Sequence, residues 1–175
     1  MVQLTRALEQ IAALPTTPAL RREQIKQQAA LITPLIHVKG YAAPETKAAA
    51  ERARLLMQQA EAIGEPPEDP LLLFAVLYSF WVANAVERDS MMRPLATQFL
   101  ALAEKQGTTA PLMIGHRLMG NSLLMAGETA QARVHLDKAI ALYDPVAHRP
   151  LATRFGQDAG VSILSYRALA LWMLG

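Results

Sequence analysis

The chain of 175 residues carries 17 basic and 15 acidic side chains, is 52% hydrophobic but only 6% aromatic, and has no cysteine. That length suits one domain or a short array of helical repeats, the mixture of Ala and Leu favours packed helices over sheets, and the absence of thiols excludes disulfides, thiolate metal sites and cysteine nucleophiles. The net charge of +2 divides into eight bases against five acids over residues 1–64, one against five over 65–89, and eight against five over 90–175, without the dense basic face of a nucleic-acid binder.

Helical periodicity runs from end to end, and the expected fold class is all-α. Val2 to Leu14 places Leu4, Leu8, Ile11 and Leu14 on one side, and PTTP breaks that helix. A second helix is expected from about Pro18 to Val38, kinked near Ala30 to Thr33 by Pro34. Gly40 and Pro44 stop it and start a third, Ala43 to Ile63. The acidic, proline-rich EPPEDP then marks the best internal boundary.

From Pro70 the apolar run LLLFAVLYSFWVANAV is sixteen residues long and reads as a buried helix, too short for a comfortable membrane span. Its partner is expected from Ser90, a candidate cap, to Gln106, with Gly107 as the stop. TTAP opens the next helix, which runs to Gly127. The start, MVQLTRALEQIAAL, has no compact apolar core followed by a cleavage site, so a cytoplasmic protein without a membrane partner is expected.

One helical pair stands out. In HRLMGNSLLMAGETAQARVHLDKAIALYDP, Gly120, Leu123, Gly127, Ala132, Leu136 and Ala139 fall at the small and large positions of a tetratricopeptide repeat. Gly120 and Ala132 permit close approach, Leu123 and Leu136 fill the seam, and Gly127 permits the turn. Moving back 37 positions gives the degenerate set Ala83, Val86, Ser90, Leu95, Phe99 and Leu102; moving forward 48 gives Ala168, Leu171 and Gly175. These unequal spacings suit a tetratricopeptide-like right-handed superhelix of about eight antiparallel helices with stretched connectors. The expected organisation is one domain over 1–175: N-terminal helices 1–64, a connector 65–70, and repeats 71–175. The last repeat is expected to be incomplete, with its second helix missing, as in a fragment of a longer protein.

LITPLIHVKGYAAPE, the stretch from Leu100 to Pro145, HRPLATRFGQDAGVSIL and RALALWMLG resemble successive blocks of the helical-repeat region in bacterial class III adenylate or guanylate cyclases that also carry an AAA-type ATPase module. The resemblance spans residues 2–175. It implies a regulatory, partner-binding or signal-sensing array beside nucleotide-handling domains, without catalysis of its own. No GxxxxGK[ST] phosphate loop occurs in the chain, and no cofactor is expected.

Among candidate sites, Arg117 and Asn121 lie four residues apart on one helix face. With Asn84, which matches Asn121 one repeat earlier, they form a candidate groove site for a peptide carboxylate or another anion; the plainer reading leaves Arg117 solvated and the asparagines bonded to backbone. The four histidines, His37, His116, His135 and His148, contain no HxxxH pair and read as structural or surface residues, with His116 in an aromatic packing position and His135 pointing outward. Ser162, His148 and Asp158 make a catalytic triad only on paper, because no GxSxG turn presents the serine. Tyr78, Phe80 and Trp81 read as core and groove wall. The expected function is a protein-interaction or signal-sensing module that binds a peptide segment, a neighbouring domain or a second copy through its exposed terminal helix. The alternative is a small-molecule sensor of an ATPase-type transcription regulator.

Overall fold

The structure, a computed structural model, describes residues 2–14, 17–40, 42–65, 69–87 and 91–175, with backbone alone at 85–87. Ser90, the candidate cap, lies outside the described residues, as do residues 15–16 of the first break and 66–68 of the acidic stretch. All regular structure among the described residues is helical. It comprises α1 (Val2–Ala12), α2 (Pro18–Lys39), α3 (Pro44–Ala62), α4 (Leu71–Glu87), α5 (Met92–Gln106), α6 (Thr109–Met125) and α7 (Thr129–Ala141). These are followed by α8 (Pro145–His148), a 3-10 turn (Arg149–Leu151), α9 (Ala152–Phe155) and α10 (Ala159–Leu174). No described helix is long and apolar enough to cross a membrane. The chain forms two compact units, residues 1–83 and 84–175.

In the first unit α1 packs on α2 and α2 on α3. Thr17 caps α2 by accepting the Leu20 N–H at 3.2 Å, and Pro18 takes the first helical position, where its missing N–H costs nothing. The helix continues through Pro34 to Lys39. Gln28 Nε2 donates to the Ala49 carbonyl at 3.1 Å, and Arg21 grips Glu65 through Nε and Nη2 at 2.8–3.0 Å. Contacts that descend along α2 as they ascend past α3 make the pair antiparallel. Ile25, Ile32 and Ile36 meet Ala49, Ala53, Met57 and Ala60 in the core, joined by Val76 of α4. Tyr78 and Trp81 are buried and stacked with ring centroids 6.4 Å apart, and Phe80 packs against this core.

In the second unit α6 packs between α5 and α7. Two close approaches make this possible. A Cβ at Gly115 would stand 3.0 Å from Leu100 Cδ1 and 3.2 Å from Leu100 Cα, and one at Gly120 would stand 2.7 Å from Leu136 Cγ and 3.2 Å from the Ala132 carbonyl. The turns that reverse the chain use glycine for its left-handed conformation: Gly107 ends α5 at φ 72° and Gly127 follows α6 at φ 80°. Contacts pairing 116 with 135 and 120 with 132 fix α6 and α7 as antiparallel. Phe99, Ile114, Leu118, Leu136 and Ile163 are fully buried in this unit.

Gly120→Val is expected to lower stability by about 1–3 kcal/mol through overpacking, although helix propensity alone favours the change. Urea unfolding reads this as a lower midpoint at unchanged slope; a raised midpoint contradicts the close approach.

Candidate functional site

Arg117 and Asn121 lie one turn apart on α6, and both are buried: Arg117 has 0% of its surface exposed and Asn121 3%. The solvated Arg117 of the plainer sequence reading is therefore corrected, because α6 is covered over nearly its whole circumference. Asn121 Oδ1 is buried without a hydrogen-bond partner, a cost of about 1–3 kcal/mol for an amide oxygen taken out of water. Asn84 is half-buried on α4, at the start of the second unit.

The structure assembles a pair that sequence reading missed. His116 of α6 and His135 of α7 face each other, Nδ1 to Nδ1 at 3.1 Å, with ring centroids 5.2 Å apart and planes inclined at 53°. The outward His135 expected from the sequence is corrected, since its ring turns inward to meet His116 and both are half-buried. One turn beyond the Gly120–Ala132 approach, antiparallel register sets 116 against 135, and that register was the available signal. Burial is the largest cause lowering the His116 pKa from 6.5 to about 4, followed by the charges of His135 and Lys138. Burial and Lys138 lower that of His135, while Glu104 opposes them. Both rings are therefore neutral at pH 7, and one Nδ1 donates to the other.

The polar stretch 143–160 is a structural lock. Tyr143 Oη donates to Asp158 Oδ1 at 2.9 Å, and a Cβ at Gly160 would stand 2.4 Å from Tyr143 Cζ, so the phenol ring lies directly on the α10 backbone. Asp158 Oδ1 also caps α10, accepting from Gly160 N at 2.8 Å and Val161 N at 3.4 Å. Asp144 caps α8 through Val146 N, and its own N–H donates to His148 Nδ1 at 2.9 Å. Burial and the hydrogen bond to Asp158 raise the Tyr143 pKa. Burial works against the Asp158 charge, but Tyr143, the two N–H groups and Arg149 together hold its carboxyl below the usual range. His148 and Asp158 are thus committed to different partners, while Ser162 Oγ is buried without one. No side-chain hydrogen bond links the three as a triad requires.

The helix that this lock positions is apolar on both sides. Its inner face buries Ala159, Gly160, Ile163 and Ala170 and ties Arg167 Nε to Asp137 Oδ1 on α7. Its outer face presents Val161, Leu164, Ala168, Leu169, Trp172 and Met173 to solvent, with Trp172 79% and Val161 65% exposed. Ser165, the polar residue among them, turns its hydroxyl back onto the Val161 carbonyl at 2.8 Å. No charged side chain interrupts this face.

Comparison with protein families, with curated proteins and with solved structures finds no match to this chain.

Because folding lowers the pKa of His116, the unfolded chain takes up the proton first as the pH falls. The contribution is full above about pH 6.5 and is lost toward about pH 4. Half-burial screens the effect to the order of 1 kcal/mol. Thermal melts between about pH 7 and pH 4.5 are expected to decline less steeply for His116→Phe than for the parent; identical slopes contradict the assignment.

Proposed function

We propose that this chain is a non-catalytic, tetratricopeptide-like repeat module. It binds a helical protein segment or a neighbouring domain and passes that bound state to an attached ATPase or nucleotide cyclase. The outer face of α10 carries the reading. A helix with apolar residues on two opposite faces needs partners on both sides, and here α7 and α6 occupy only the inner one. Sixteen helical residues give an apolar ridge about 24 Å long, and a ridge of this kind marks an interaction surface.

The close pairing of α6 and α7 through Gly120, Ala132 and Leu136 supports the repeat reading, since these are the small and large positions at which such helix pairs meet. In an array, the helix after α10 would lie on its outer face just as α7 lies on its inner face. With Arg117 and Asn121 enclosed, the surface offered to a partner is the α10 ridge rather than the α6 trio.

In the absence of another occupant, two copies cover the ridge. Sedimentation velocity over a concentration series is expected to show reversible self-association, and Leu169→Glu with Trp172→Glu, which places charge on the ridge, is expected to abolish it. Both side chains are exposed, so the fold should survive. A parent chain that stays monomeric throughout and captures no protein that the charged variant loses would overturn the reading.

A further inference from the structure

We propose that His116 and His135 form a two-imidazole chelate for a divalent transition metal at the seam between α6 and α7. Two nitrogens bound about 2.0–2.1 Å from a zinc-sized ion, at angles between square and tetrahedral, stand about 2.8–3.4 Å apart. The Nδ1 atoms stand 3.1 Å apart already. An ion replaces the hydrogen between them: with each ring carrying its proton on Nε2, both Nδ1 lone pairs are available to it.

The frame is rigid where it matters. Gly120, one turn from His116, and Leu136, next to His135, hold the two helices too close for an added Cβ, which fixes the spacing of the backbones that carry the rings. The charged groups acting on the pair are Lys138 on α7 and Glu104 on α5, of opposite sign. Among the described residues no third histidine or carboxylate joins the pair, so the remaining coordination positions go to water, which half-burial admits. Imidazole ligands with open positions suit zinc, nickel or copper and are poor for magnesium or calcium. A metal here bridges α6 to α7 and stabilises the folded state by an amount that grows with the logarithm of free metal over its dissociation constant.

The test uses the full chain stripped of metal. Zinc chloride titrated by calorimetry at about pH 7.5 is expected to bind one-to-one and raise the unfolding temperature. Affinity is expected to fall at least tenfold in His116→Gln and in His135→Gln, with His37→Gln unchanged. Copper(II) added to the unmodified chain is expected to give a paramagnetic resonance spectrum with coupling to two imidazole nitrogens, a readout that does not depend on how the variants fold. Unaltered zinc affinity in folded single variants, or a copper spectrum without imidazole coupling, overturns the proposal.

Discussion

The close approach of α6 to α7 is the constraint on which the second unit depends. At Gly120 the helices come so near that an added methyl would meet the branch point of Leu136. With the interior packed at crystal-like density, no compensating space is available. From that contact the register follows in both directions. Outward it brings His116 against His135, and along α7 it leaves Asp137 free to hold Arg167 of α10. Gly115 repeats the device on the α5 side, so α6 is enclosed and even an arginine on it loses contact with solvent.

What α7 and the 143–160 lock position is a helix with two apolar faces. Tyr143 seated on Gly160, and Asp158 shared between the phenol and the first turn of α10, set that helix at a defined place. Burial of the inner face provides the local stability, and the outer face adds nothing to it while it remains in water. An exposed indole beside Met173 and Leu169 gains free energy when another apolar surface covers it. The proposed interaction function rests on this difference between the two sides of one helix.

The helices and their stops were legible because local chemistry decides them. Gly107 and Gly127 take the left-handed conformation expected at helix ends, and the Gly120–Ala132–Leu136 set meets across the seam. Features decided by tertiary packing were not legible. Arg117 is buried because α5 and α7, with α10, enclose α6, His135 faces inward because register outweighs its polar character, and Gly115 gave no sign of its contact with α5. Residues 145–155 fold into α8, a 3-10 turn and α9, with Asp144 capping and Pro145 starting the first of these. Of the candidate site, only the shared helix face of Arg117 and Asn121 followed from spacing.

The central claim is that the outer face of α10 is a binding surface, and Trp172 reports on it directly. With the buried Trp81 replaced by Phe, fluorescence comes from Trp172 alone. The emission is expected to be that of a water-exposed indole in dilute solution, and to shift to the blue as concentration rises or a partner binds. Emission that stays water-like at every concentration, and in any complex the chain forms, would contradict the account.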